Sequence, residues 1–290
     1  MNSGKVNMKI KIITDSVCDI PEPLLEKWDI TVIPCYVNYG GNSFLDDGVE
    51  LDRVAYYEQL ANVKPYPTTA APSPGLASEY LRTAFEDADH LLCIHTPQKL
   101  SAIYNNVTLA AQEVAPGAFT MVDSETLAIN LGVLVLIAAE MVAKNHSLEE
   151  IIIALEKVKK NQRLYVAFAT LDFVARSGRV NTYVAKVGNL LQIKPIGSVY
   201  DSSVHNIARI RTFKRAVDKL ESLAREEVPL ERLFLLHIRN EEGAKHLRER
   251  LSDIAPTYET HIIEVGPTLG SHIGPGSVGV ATLRASWRNE

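Results

Sequence analysis

Hydroxyl side chains recur where strands end and helices begin. Thr14-Asp15-Ser16 follows one short apolar run, Thr96 follows a second, and Asp123-Ser124 follows a third. Pro67-Thr68-Thr69 leads through Ala70-Ala71-Pro72 to Ser73-Pro74, where serine suits an N-cap and proline the first helical position. Ser101 stands where the helical pattern through Tyr104 begins. Helix N-termini carry partial positive charge and unpaired amides. Hydroxyls grouped there suit a carboxylate or a phosphate. Each one alone is equally at home as a plain helix cap.

Other chemistries lack their residues. Gly274-Pro275-Gly276-Ser277-Val278-Gly279 matches a dinucleotide glycine pattern, but no helix and no acidic residue about 20 positions on can be placed before Glu290. No G-x-x-x-x-G-K-[ST] phosphate loop, H-E-x-x-H zinc pair or G-x-S-x-G nucleophile turn occurs. The eight histidines are scattered, so no metal is expected. Asp15 and Asp19 are spaced too widely for the paired aspartates of a phosphoaspartate enzyme.

Composition narrows the class further. The 290 residues are 46% hydrophobic and 22% charged, as in an ordinary soluble globular protein of about two domains. With 30 Lys+Arg against 35 Asp+Glu there is no basic excess, which argues against nucleic acid. Cys18, Cys35 and Cys93 lie in apolar runs without C-x-x-C spacing, so buried thiols in a reducing cytoplasm are expected. Met1 to Met8 is polar and no secretory leader, and the fold is expected from Lys9. The longest apolar run, Leu131 to Ala139, is far short of the roughly 20 residues of a membrane span and predicts a buried helix.

The elements that must position these groups follow from periodicity. Lys9–Ile13, Ile30–Val37, His90–His95 and Phe119–Val122 read as strands. Helical patterns cover 51–60, 74–86, 101–114 and 126–144, which together predict a parallel sheet covered on both faces. Ser147-Leu148-Glu149-Glu150 is a capping box opening a helix to about Asn161. Beyond it, Leu164–Ala169 is a strand, Asp172–Leu191 is helical with a break at Ser177-Gly178, and 193–200 with 204–211 forms a hairpin. A helix over 212–226, a strand over 233–239, a helix over 241–252 and a strand over 261–265 follow. The expectation is a two-lobed α/β chain: an N-terminal domain, 9–162, with a parallel sheet, and a C-terminal domain, 163–290, with a largely antiparallel one.

Nine segments in order carry a resemblance: Lys11-Ile12-Ile13-Thr14-Asp15-Ser16, Leu45-Asp46-Asp47-Gly48-Val49, Pro67-Thr68-Thr69, Lys99-Leu100-Ser101, Val122-Asp123-Ser124, Ser177-Gly178-Arg179-Val180, Lys194-Pro195-Ile196, Arg209-Ile210-Arg211-Thr212 and Gly270 to Gly276. Together they resemble the DegV family of bacterial fatty-acid-binding proteins, over residues 9 to 282. The resemblance implies two α/β lobes with a long-chain fatty acid between them. It implies a binding subunit, not an enzyme in itself, that presents the acyl carboxylate to a separate kinase subunit for acyl phosphate formation. No cofactor is implied beyond the fatty acid ligand.

By the same resemblance Thr69 and Ser101 bind the carboxylate, and Arg179, Arg211 and His272 serve the head-group mouth and the kinase partner. Asp15, Ser16, Tyr104, Gly270 and Gly274 are candidates for additional lining. Val133, Leu134, Ile137, Phe168, Phe173 and Ile193 are apolar enough to line the tail. The chain departs from the family at Ala70 and Ala71, where serine and glutamine are usual, and at Ala102 and Ile103, where glycine and threonine are. Two further readings stay open: an enzyme acting on a short acid or phosphate ester at the same strand ends, with Asp15 or His272 moving a proton, and a lipid-responsive regulatory module. The enzyme predicts a short polar cleft and the lipid carrier an apolar tunnel.

Overall fold

The structure is a computed structural model, and it describes residues 8–178 and 193–289. Strands β1 (Ile10–Asp15), β2 (Thr31–Ile33), β6 (His90–His95) and β7 (Phe119–Asp123) form a parallel sheet in the order β2-β1-β6-β7. Alternation along the strands divides its two faces. Ile13, Leu91 and Cys93 pack under helices α3 (Pro74–Phe85) and α4 (Ile103–Val114). Ile12, Leu92 and Ile94 pack under α5 (Ile129–Ala143). Both faces are covered, so the strands read as continuous apolar runs.

The run Ile30–Val37, expected as one strand, is two. Pro34 has no N–H for a ladder and separates β2 from β3 (Tyr36–Tyr39). β3 joins β4 (Asn42–Leu45) and β5 (Thr68–Ala70) in a small antiparallel sheet, order β4-β3-β5. The β3–β4 turn places Gly40 and Gly41 at φ 57° and 83°, which glycine adopts without penalty. This sheet carries Thr69 opposite Val37.

After α6 (Leu148–Asn161), which opens with the expected capping box, the chain enters a six-stranded sheet. Its strands are β8 (Gln162–Ala167), β9 (Lys194–Tyr200), β10 (Ser203–Ile210), β11 (Leu230–His237), β12 (His261–Glu264) and β13 (Val278–Arg284). The order is β10-β9-β8-β13-β11-β12, antiparallel except for β11 with β12. The β9–β10 hairpin turns at Asp201 and Ser202, as its sequence predicts. α8 (Phe213–Arg225) and α9 (Glu241–Arg250) cover one face. The other face shares a core with α5, which is therefore buried all round and explains the apolar run without a membrane. No helix among the described residues is long and apolar enough to cross a bilayer.

Besides β4, β5 and the short helix Glu22–Lys27, two elements important to the site were absent from the sequence reading. β13 lies at the centre of the second sheet, where the periodicity was masked by the glycine pattern that precedes it. α10 (Pro267–Ile273) starts at proline and ends at Gly274, a short helix wedged against α2 (Arg53–Gln59), η-turn residues 16–18 and α7 (Asp172–Arg176).

Candidate functional site

The connections from β1 and from β6 leave towards opposite edges of the parallel sheet, so a crevice opens beyond their carboxyl ends. Asp15 ends β1 and bridges that crevice. Its carboxylate accepts from the Thr96 amide at 2.9 Å, the Thr96 hydroxyl at 2.9 Å and the Val17 amide at 3.1 Å, and it meets His95 Nδ1 at 3.0 Å. Asp15 and His95 are both fully buried. The carboxylate is thereby occupied in holding two strand ends together. Ser16 Oγ accepts from the Cys35 amide at 3.1 Å, which ties the same turn to the small sheet.

Above the crevice lies a cavity enclosing about 1220 Å³ not filled by atoms, part of it open to solvent. One end is polar. Thr69 Oγ1 and His272 Nε2 are 2.8 Å apart and join β5 to α10. Ser101 Oγ accepts from the Ile103 amide at 3.3 Å, which leaves its hydroxyl hydrogen directed elsewhere. Thr69, Ser101 and His272 all line the cavity. Thr96 lines it too, but its hydroxyl proton is committed to Asp15.

Most of the remaining wall is apolar, with Ser177, Ser198, His237, Thr268 and Ser277 among its polar members. Val17, Leu127, Leu269 and Ile273 face the second sheet, where Gly197, Val166 and Gly279 stand side by side on β9, β8 and β13. Two glycines flanking one valine lower the sheet surface into a furrow. A glycine inside a strand is the sequence signal for such an approach, and it was overlooked at both positions. Cys35 also lines the wall, and burial pushes its thiol well up, so it serves as a small apolar surface.

Several expected lining residues stand elsewhere. Asp15, Ser16 and Tyr104 are not among the residues lining the cavity. Neither are Gly270 and Gly274, whose glycine character is explained by packing. A Cβ on Gly270 would lie 2.0 Å from the Tyr57 hydroxyl, and one on Gly274, at φ 83°, 2.1 Å from the Phe173 ring. Val133, Leu134 and Ile137 fill the core around α5, Phe173 packs on Gly274, and Ile193 is not in the wall; of the six apolar candidates Phe168 alone lines it. Arg211 is exposed just beyond β10 and is not in the wall. Arg179 lies outside the described residues. No group of three or more His, Cys, Asp or Glu among the described residues is arranged to hold a metal ion.

The fold is mixed α/β, with a parallel sheet, a largely antiparallel one and a small third sheet, and hydroxyls and an imidazole line its cavity. The chain belongs to the DegV family: the family model, described as an uncharacterised protein family, matches residues 9–285. A DegV domain-containing protein of Deinococcus radiodurans is 34% identical over 94% of this chain and 98% of its own length. One from Listeria innocua is 30% identical over 95% and 98%. Among solved structures, a DegV family protein from Thermus thermophilus described for its fatty acid binding is 31% identical, with a TM-score of 0.88 over 95% of this chain and 99% of its own. DegV of Bacillus subtilis, described as a fatty acid binding protein, is 28% identical with a TM-score of 0.85 over 95% and 99%.

Proposed function

We propose that the protein binds one long-chain fatty acid in this cavity, with the carboxylate held at Thr69, Ser101 and His272. The observation that carries the reading is the cavity itself, an apolar furrow between two sheets that closes on hydroxyls. The fatty-acid-binding descriptions of the Thermus thermophilus and Bacillus subtilis relatives support it. Each buried methylene contributes about 0.8 kcal/mol, so a chain of roughly sixteen carbons approaches about 12 kcal/mol before the costs of binding. The tail therefore dominates affinity, and the head group fixes orientation through charge-assisted hydrogen bonds. A largely apolar wall and an Asp15 occupied by four contacts from three residues favour this reading over an enzyme acting on a short acid or phosphate ester.

The family resemblance extends the proposal. A separate kinase subunit takes the presented carboxylate and forms acyl phosphate in the cytoplasm, with Arg179, Arg211 and His272 at the mouth and the partner surface. The two lobes, 9–162 and 163–290, divide where α6 passes into β8. Native mass spectrometry of protein purified from bacteria tests the core of this: one co-purifying fatty acid mass is expected. Repeated ligand-free protein that also rejects added oleate overturns it. For the partnership, Arg211→Ala is expected to leave lipid binding nearly intact and to lower acyl phosphate formation by the kinase pair. A parallel loss of lipid binding would instead place the arginine on the head group.

A further inference from the structure

The segment that leads into α10 is gripped by side chains of the first sheet region. Asp19 Oδ1 accepts from the Gly266 amide at 2.8 Å, and Asp46 Oδ2 accepts from the Thr268 amide at 3.0 Å. The Tyr57 hydroxyl donates to the Val265 carbonyl at 2.6 Å, and Tyr56 bonds Ser271. A Cβ on Gly266 would lie 3.3 Å from both Asp19 Oδ1 and Asp46 Oδ2, so two carboxyl groups close on one glycine. The outer oxygens, Asp19 Oδ2 and Asp46 Oδ1, are sealed from solvent without a hydrogen-bond partner among the described residues, and Arg53 stands 3.5 Å from Asp46 Oδ1. The gripped segment supplies Val265, Thr268, Leu269, His272 and Ile273 to the cavity wall. Whether that wall is in place depends on the grip.

We infer that Asp19 and Asp46 are positioning residues that dock α10 on the first lobe, that Asp19 takes up one proton from solvent as the helix docks, and that the cavity therefore opens more readily as pH rises.

The electrostatics agree with the geometry. Burial pushes Asp19 up to about 7, opposed by the Gly266 amide and Arg53 and reinforced by Asp46 and Asp15. Burial pushes Asp46 up as well, opposed by Thr268 and Arg53. The other titratable groups facing the pair are Cys18 in the same turn, Tyr56 and Tyr57 on α2 and Asp47 beside Asp46, and Glu22, Glu26, Asp29 and Glu264 share the open groove beside it. Undocking returns the Asp19 carboxyl to water and its ordinary range, which releases the proton. By linkage, the undocked population then gains up to roughly tenfold per pH unit between about 4 and about 7 and levels off above.

The test uses Asp19→Asn, which stays neutral, keeps an acceptor for the Gly266 amide, and suits the left-handed φ of 49° that this position adopts. Hydrogen exchange at the Gly266 and Thr268 amides of ligand-free protein, corrected for intrinsic rates, is followed from about pH 5 to about pH 9. Dissociation of a fluorescent fatty acid is followed over the same range. Wild type is expected to lose protection and to release ligand faster as pH rises to about 7, approaching tenfold per unit, and to level off above, while Asp19→Asn loses most of that slope in both. A flat wild-type profile, or a variant that keeps the wild-type slope, overturns the inference. Asp46→Asn supplies a second arm: loss of its charge is expected to make the profile level off at lower pH, and an unmoved plateau contradicts the coupling. The ligand arm rests on the fatty-acid reading and the amide arm does not. Amides that respond as expected in a protein that refuses the probe would therefore sink that reading and leave the clamp standing.

Discussion

At the scale of single residues, the polar end of the cavity turns on which hydroxyl protons are free to be donated. Thr96 gives its proton to Asp15, whereas Ser101 accepts through oxygen and keeps its own. Ser101→Ala is therefore expected to weaken fatty acid binding by about 1–3 kcal/mol, roughly tenfold to a hundredfold, measured by titration calorimetry. Unchanged affinity would reduce Ser101 to a cap. Asp19 carries a stability prediction of definite sign. Its carboxyl is raised from 3.8 to about 7 in the folded chain, so folding favours its protonated form. Its contribution is fully present below about 4 and is lost as pH rises through about 7. Urea midpoints of wild type are expected to fall across that window relative to those of Asp19→Asn. The family resemblance named Thr69, Ser101 and His272, and the structure brings all three to one cavity. Asp46 appeared only as part of a sequence motif, because its partner Thr268 lies 222 residues away.

At the scale of elements, strands with one apolar pattern were readable and those with two competing patterns were not. The parallel strands and the β9–β10 hairpin followed periodicity and turn chemistry. The small sheet that presents Thr69 did not, because β4 and β5 are short and mostly exposed and Pro34 interrupts the run before them. β13 was hidden behind Gly274 to Gly279, yet its Gly279 deepens the furrow beside Val166. A Cβ there would meet the Tyr165 carbonyl at 3.1 Å and Val166 at 3.3 Å, so a larger side chain must project into the cavity. Gly279→Leu is expected to shift the preferred ligand to shorter acids and to reject palmitate, read by competition against a fluorescent fatty acid. A variant with the wild-type chain-length profile would mean that the tail takes another course.

At the scale of the whole molecule, α5 is the layer on which both sheets rest, and it joins them in one core. The core that contains Leu92 and Ile94 of the first sheet also contains Phe234 and Leu283 of the second. The join is reinforced where Arg232 of β11 holds both oxygens of Glu140 on α5, at 2.8 and 2.7 Å, and lies over the Tyr258 ring. Glu140→Ala leaves a nearly buried guanidinium with only Glu231, at 3.8 Å, as an ion-pair partner and is expected to cost about 3 kcal/mol in chemical denaturation. A loss below about 1 kcal/mol would show that the pair is effectively solvated. The two lobes and their sheet types were legible from the change of texture near residue 162. The cavity was not, because sequence cannot separate a side chain that lines a void from one that fills a core, as Val133 and Phe168 illustrate. The most direct test of the central claim is a crystal structure of the protein grown with palmitate. The account predicts continuous density along the furrow over Gly197, Val166 and Gly279, with the carboxylate within hydrogen-bond reach of Thr69 and Ser101. A carboxylate bound elsewhere, or a cavity holding only water at saturating palmitate, would contradict it.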